Sequence, residues 1–193
     1  MAKKIAVMIA DGCEEIEALT PVDVLRRLGQ DVDMVGLKDL AVTGAHQIKL
    51  TCDKVLDDSL LDYDMVVLPG GYQGAQNLRN SDQLMALMQK RNQAGKWNAA
   101  MCAAPMAFAR YGLLNDSDYT CYPEMEKEFA SDVTNGRHHE DIVVVDSTKH
   151  IITSRGPATA LAYAYKIAEV LGVDPAPQKE AMLYNFLATN IWV

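Results

Sequence analysis

The sequence predicts an α/β fold in which a mainly parallel, doubly wound sheet is covered by helices on both faces. Two short apolar runs without alternation, Ile5 to Ala10 and Met65 to Leu68, have the pattern of strands buried on both sides. Stretches with helical periodicity and recognisable caps lie between the apolar runs, which is the order of βαβ units. No repeat and no low-complexity segment interrupts this alternation.

Taken in order, Ile5 to Ala10 is the first strand and stops at Asp11-Gly12. A helical stretch follows from about Glu14 to Leu28. Thr20-Pro21-Val22-Asp23 reads as an N-cap with proline at the first helical position, so a turn, a kink and a second helix closed by Gly29 are expected. Asp31 to Val35 is the second strand, and residues 41–52 form a hairpin on the sheet's edge, turning at Thr43-Gly44. Met65 to Leu68 runs into Pro69-Gly70-Gly71. Ser81 caps a helix that reaches Ala94 and stops at Gly95. Trp97 to Met101 is a strand, Ala103 to Tyr111 a helix, and Cys102 stands between them. Tyr119 to Tyr122 and Ile142 to Val145 are strands, the latter turning through Ser147-Thr148 into Ile151 to Thr153. Gly156-Pro157 opens a long amphipathic helix to Leu171, and Gln178 to Thr189 forms the last.

The 193 residues fit a single domain, 1–193, with an apolar fraction of 49% that suffices for a core on both sheet faces. A net charge of -8 and the lack of a basic stripe argue against a nucleic-acid backbone as partner. The apolar run after Lys3-Lys4 is too short for a secretory signal, and no segment approaches the roughly 20 apolar residues of a membrane span, so the expected location is cytoplasmic, with no membrane partner. Four cysteines stand at 13, 52, 102 and 121 without C-x-x-C or zinc-ribbon spacing. Each has the alternative reading of a small buried hydrophobe.

Ligand sites in parallel sheets lie at the carboxyl ends of the strands. That rule selects Asp11 to Glu17, Pro69 to Gly74, and Met101 to Ala104. A cysteine on a sharp strand-to-helix turn projects its sulfur above the sheet. The following helix start, with free N–H groups and a positive dipole end, is expected to lower its pKa towards the reactive thiolate. Gly70 and Gly71 allow close backbone approach and an oxyanion site, or serve only as a tight turn. Among Glu14, Glu15 and Glu17, one enclosed carboxyl near Cys102 can stay protonated and donate to the sulfur, whereas the helix dipole accounts for the others. His138-His139-Glu140 reads as a solvated turn beside Asn135-Gly136-Arg137, and no metal site is expected. Arg155 is a candidate anion ligand at the site mouth or the partner of a surface carboxylate.

Four segments together, Asp11-Gly12-Cys13-Glu14-Glu15-Ile16-Glu17, Leu68-Pro69-Gly70-Gly71, Ala99-Ala100-Met101-Cys102-Ala103-Ala104-Pro105 and Thr153-Ser154-Arg155-Gly156-Pro157, resemble the ThiJ/PfpI superfamily. Within it they resemble the clade of the human parkinsonism-associated protein (DJ-one) and its bacterial relatives. The likeness runs from the first strand to the helix after Pro157. It implies a flavodoxin-like α/β/α sandwich related to the class I glutamine amidotransferases, with Cys102 on a nucleophile elbow, and a homodimer. It implies that Cys102 is an easily oxidised nucleophile, that Glu17 is its protonated carboxyl partner, and that the N–H groups of Gly71 and Ala103 form the oxyanion site. It also implies a cofactor-free role in stress defence, as a glyoxalase or deglycase acting on methylglyoxal, a small aldehyde, or on glycated adducts.

Two positions depart from that pattern. Tyr122 stands where the family often has a histidine, and a tyrosine, with an ordinary pKa of about 10, is a poor base at neutral pH. Ala103 stands where the protease-like branch has a histidine, which counts against a peptidase. Cys121 is a candidate resolving thiol for Cys102. Besides the enzyme, the sequence leaves open a redox sensor or chaperone-like protein oxidised at Cys102. A glutaminase drawing on His138 and Glu140 is a more remote alternative.

Overall fold

The computed structural model describes residues 1–191. The chain runs β1 (Lys4–Ile9), α1 (Glu15–Arg27), β2 (Asp31–Gly36), β3 (Ala41–Thr43), β4 (Lys49–Thr51), β5 (Lys54–Val55) and β6 (Met65–Leu68). It continues through α2 (Tyr72–Arg79), α3 (Asp82–Gln93), β7 (Trp97–Met101), α4 (Pro105–Arg110), β8 (Asp118–Tyr119) and α5 (Met125–Glu128). The last part is β9 (Arg137–His138), β10 (Val143–Asp146), β11 (Ile151–Ser154), α6 (Ala160–Val170), α7 (Ala176–Ala181) and α8 (Tyr184–Asn190).

Seven strands form one sheet in the order β10-β11-β7-β6-β1-β2-β5, and every pair is parallel except β10 with β11. The period of two sorts the side chains of β1 to opposite cores. Ala6 and Met8 pack with Leu78, Leu87 and Phe108 on the face that carries α2, α3 and α4. Ile5, Val7 and Ile9 pack with Ala18, Leu25 and Tyr163 on the face that carries α1 and α6. This is the doubly wound α/β/α sandwich expected. β1, β6 and β7 are adjacent in its middle, so the loops leaving their carboxyl ends converge on one point.

Several elements differ from expectation. Pro21 lies inside one continuous helix, α1, and is buried there, so Thr20 is not a helix start. Packing of α1 against the sheet and α6 outweighs the local breaking tendency. The hairpin exists but forms a separate two-stranded sheet, β3 with β4, and its turn extends to Ile48, whose carbonyl accepts the Gly44 N–H. The segment expected as a strand from Tyr119 to Tyr122 contributes only Asp118–Tyr119, paired with β9 in a small sheet of its own. Residues Arg137–His138 are therefore strand rather than a solvated turn. The entry to α6 is a 3-10 turn over Pro157–Thr159. The last helix is two helices, α7 and α8, divided at Leu183, whose φ is 58°. α2 was not anticipated, because its sequence Tyr72–Arg79 carries only three buried residues, Gly74, Ala75 and Leu78.

Candidate functional site

The strand β7 ends at Met101, and the chain reverses at Cys102 with φ of 59°, a left-handed conformation unusual for a side chain with a Cβ. Three backbone hydrogen bonds hold the reversal. The Cys102 N–H donates to the Ser154 carbonyl at 3.0 Å, the Ala104 N–H to Met101, and the Tyr122 N–H to the Cys102 carbonyl at 2.9 Å. Such backbone strain costs roughly 1–3 kcal/mol and persists only where the surroundings impose it. Here it sits at the carboxyl end of β7, on the tight turn between that strand and α4.

Beside the elbow, β6 ends in Pro69-Gly70-Gly71. A Cβ on Gly70 would stand 2.6 Å from both the Cys102 Cβ and Glu17 Oε2, and 3.0 Å from the Ala103 nitrogen. Gly71 has φ of 80°, and a Cβ there would meet the Glu14 nitrogen at 2.4 Å. Both glycines are therefore required by close approach. The start of α1 is tied to the same loop: the Glu14 N–H donates to the Gly70 carbonyl at 2.9 Å, and the Gly70 N–H donates to Glu17 Oε2 at 2.8 Å.

Glu17 is fully buried, and its Oε1 has no hydrogen-bond partner of normal geometry. Burial pushes its pKa up to about 7, opposed by interaction with the Cys102 thiol and by the Gly70 N–H. The other two acids of the cluster are accounted for elsewhere. Glu15 accepts from the His46 N–H and pairs with His46 Nδ1 at 2.8 Å, and Glu14 lies near the same ring.

Cys102 is the one cysteine of the four that is partly exposed. Its thiol is shifted up, contrary to the expectation of a lowered pKa. Burial is the largest cause, followed by the charge and hydrogen bonding of ionised Glu17, while the N–H groups of Gly71 and Ala103 pull the other way. α4 starts only at Pro105 and is six residues long, so the fixed N–H groups, not a helix dipole, stabilise negative charge on the sulfur. The two residues form a coupled pair. With the proton on Glu17 the repulsion disappears and the two N–H groups remain, so reactivity depends on which partner holds the proton.

The remaining candidates lie around this centre. Tyr122 is half-exposed, its ring 3.4 Å from where a Cβ on Gly156 would stand, and its backbone braces the elbow. Arg155 makes no ion pair among the described residues, which leaves its anion-binding reading standing; its charge reaches the Cys121 thiol. Cys121 is fully buried, its Sγ directed to Glu126 Oε2 at 3.9 Å, and burial raises its thiol to about 12. Cys13 and Cys52 are buried thiols raised to about 12 and about 11. His139 pairs with Asp118 at 2.7 Å and His138 stacks beside Tyr119, so neither histidine bonds to Cys102 and a glutaminase-type triad is not formed. Tyr163 on α6 was missed in the sequence. Its phenol is fully buried, lacks a hydrogen-bond partner, and is held well above its ordinary pKa by burial and by the Glu17 charge. No sequence signal separates it from an ordinary core aromatic.

A family model described as the DJ-1/PfpI family matches residues 3–170. Over 188 residues the chain is 36% identical to Protein dj-1beta of Drosophila melanogaster, covering 94% of this chain and 96% of that one. It is 36% identical over 179 residues to Protein DJ-1 homolog B of Arabidopsis thaliana, covering 90% of this chain and 40% of that one. The chain thus spans less than half the length of the plant relatives it matches. The crystal structure of Drosophila melanogaster DJ-1beta superposes with a TM-score of 0.86 at 34% identity, covering 95% and 98% of the two chains. Toxoplasma gondii DJ-1, in an oxidized form, superposes with a TM-score of 0.84 at 31% identity, covering 96% and 98%.

Proposed function

The chain belongs to the DJ-1/PfpI family, with its flavodoxin-like fold, and on that premise we propose that it is a stress-defence protein acting through Cys102, as a cofactor-independent glyoxalase or deglycase towards methylglyoxal and its early adducts. The observation that carries this reading is the buried Glu17 carboxyl, with a pKa raised to about 7, set against Cys102 at an elbow faced by the N–H groups of Gly71 and Ala103. A carboxyl that is half protonated near neutrality serves as donor and acceptor in one cycle.

In this mechanism the Cys102 thiolate adds to the aldehyde carbon of methylglyoxal, and the new oxyanion is received by the two N–H groups. Glu17 carries the proton from the former aldehyde carbon to the neighbouring one through an enediol, leaving a thioester on Cys102. Water then cleaves the thioester, returns the proton to the Cys102–Glu17 pair and releases lactate, so the net change is addition of one water to methylglyoxal. Tyr122 is not needed as a base. Small side chains around the elbow, Gly70, Gly71, Ala103 and Ala104, suit a substrate of three carbons.

Lactate production from methylglyoxal by the wild type, Cys102→Ser and Glu17→Ala tests the proposal. Loss of turnover in both variants supports it, and undiminished turnover in Cys102→Ser would refute it.

A second reading, a redox sensor, is favoured by Tyr122 in place of the family's usual histidine and by a relative known in an oxidized form. Two successive peroxide molecules would convert the thiolate to sulfinate, each reduced to water, and the sulfinate oxygens would meet the same N–H groups. That reading predicts a mass gain of two oxygens on Cys102 at low peroxide with negligible aldehyde consumption. In either reading we propose a homodimer. The apolar strip of Ile16 and Leu19 on α1, with Pro157, Leu161 and Met182, offers the mating surface.

A further inference from the structure

Among the described residues, two clusters of ligating side chains lie outside the Cys102–Glu17 pair, and one of them is left poorly satisfied. Cys121 follows β8, Glu126 lies on α5 and His138 on β9, and one donor atom from each falls within 4.8 Å of the other two. The pairing of Tyr119 with His138 places the histidine beside the chain that leads to Cys121, and the His139 N–H donates to the Tyr119 carbonyl at 2.8 Å. The Met125 N–H donates to the Tyr122 carbonyl and folds the α5 turn back so that Glu126 faces Cys121. Three separate segments are therefore brought to one point by backbone bonds that do not depend on the three side chains.

The side chains themselves are poorly satisfied. His138 Nε2 is buried and has no hydrogen-bond partner, although its ring is fixed against Tyr119. Cys121 Sγ makes one long side-chain contact, to Glu126 Oε2 at 3.9 Å, and faces the Glu126 backbone N–H. Buried polar atoms without partners are rare in native proteins and call for a specific account. The second cluster of this kind, Glu14, Glu15 and His46, needs none, because His46 is exposed and already bonded to Glu15.

We propose that Cys121, Glu126 and His138 form a binding site for a divalent first-row metal ion of the zinc type. A thiolate, an imidazole and a carboxylate form a donor set suited to zinc, and three protein ligands leave a fourth position for water. Tetrahedral zinc with ordinary bond lengths needs donor separations of about 3.3 to 3.7 Å, so donors that lie within 4.8 Å of one another have to close by about 1.5 Å at most. Cys121 gives up its thiol proton to solvent as the Zn–S bond forms. Glu126 and His138 are partly exposed and form the entrance, while Cys121 is the buried end of the site. The ion would sit one residue from Tyr122, whose N–H holds the elbow at Cys102.

Metal-stripped wild-type protein, titrated with zinc against a chromophoric chelator, is the test. It is run beside Cys102→Ser, Cys121→Ser, Glu126→Gln and His138→Ala. One zinc per chain is expected in wild type and in Cys102→Ser, with affinity reduced roughly tenfold or more when Cys121 or His138 is replaced. Cobalt should give a thiolate charge-transfer band that survives Cys102→Ser and disappears in Cys121→Ser. Should Cys121→Ser fail to fold, the His138→Ala and Glu126→Gln arms carry the same test, since both side chains lie at the surface end. Absence of zinc retention by the wild type overturns the proposal. So does binding that is lost in Cys102→Ser but unchanged in His138→Ala.

Discussion

Cys102, Gly70 and Glu17 meet so closely that each limits what the others can be. A Cβ on Gly70 would press on the Cys102 Cβ and the Ala103 nitrogen, which cannot swing aside, and on the Glu17 carboxylate, which burial and the Gly70 N–H hold in place. Gly70→Ala should therefore destabilise the fold by about 1–3 kcal/mol in urea unfolding and slow alkylation of Cys102; full stability with unchanged reactivity would contradict the packing described. Glu17 supplies a pH signature. Its pKa in the fold, about 7, lies above its ordinary 4.5, so the native state holds a proton that the unfolded state has released. Stability from this group is intact below the unfolded value and falls as pH rises towards about 7. Glu17→Gln removes that slope. The variant's stability advantage should grow from near zero at about pH 4 to as much as roughly 3 kcal/mol at about pH 8. A flat difference would mean that the carboxyl is not held protonated. Thiol titration offers an independent check: the coupled wild-type pair should lose its protons in two steps, and the Gln variant in one. Cys102 and the glycines stand out in the sequence by turn position and residue type, whereas only the family resemblance separates Glu17 from Glu14 and Glu15. The direction of the thiol shift was not legible there, since it depends on burial and on which partner is charged.

At the scale of elements, Pro21 is the informative case. It has no N–H to give to the carbonyl four residues earlier, which belongs to Glu17. The helix thus lacks one rung at the residue whose side chain reaches Cys102. Pro21→Ala restores the rung and helix propensity worth about 3 kcal/mol, offset by about two lost buried methylenes, for a net gain of about 1 kcal/mol. The same change should alter the Cys102 reaction rate by shifting Glu17; a more stable variant with unaltered reactivity would assign Pro21 a purely packing role. Local signals misread this helix because a Thr-Pro pair has the same appearance at a helix start as inside one, and only the contacts of Ala18, Val22 and Leu25 with the sheet decide. Capping was a better guide where propensity and tertiary packing agree: Ser81 Oγ does accept from the Leu84 N–H, and Gly95 does end the same helix, α3, with φ of 66°. α2 escaped notice for the opposite reason, since glycine, asparagine and glutamine hide its apolar stripe. The cluster of Cys121, Glu126 and His138 was invisible as well. Its members come from the segment after β8, the one-turn helix α5 and the two-residue strand β9, whose meeting no local pattern announces.

For the whole molecule, the question is what covers the apolar strip on α1 and α6. Ile16 is 55% and Leu19 36% exposed, and they adjoin Pro157, Leu161 and Met182 on a surface whose net charge would otherwise favour solvent. Apolar side chains grouped in this way mark contact surfaces more often than they mark free ones. α1 also carries Glu17, one position from Ile16 and two from Leu19, so a partner resting on this helix face presses on the element that positions the carboxyl. Assembly and reactivity are then linked through a single helix. Ile16→Glu with Leu19→Glu should place charge in the interface and yield a monomer in sedimentation at micromolar concentration. Circular dichroism should stay unchanged, because neither side chain is in the core. If α1 is held in register by its partner, the monomer should also show faster hydrogen exchange along α1 and altered Cys102 alkylation. A dimer of undiminished affinity would move the interface to another surface. A wild type that sediments as a monomer would remove the homodimer from the proposed function while leaving the Cys102–Glu17 pair, which is complete within one chain, unaffected.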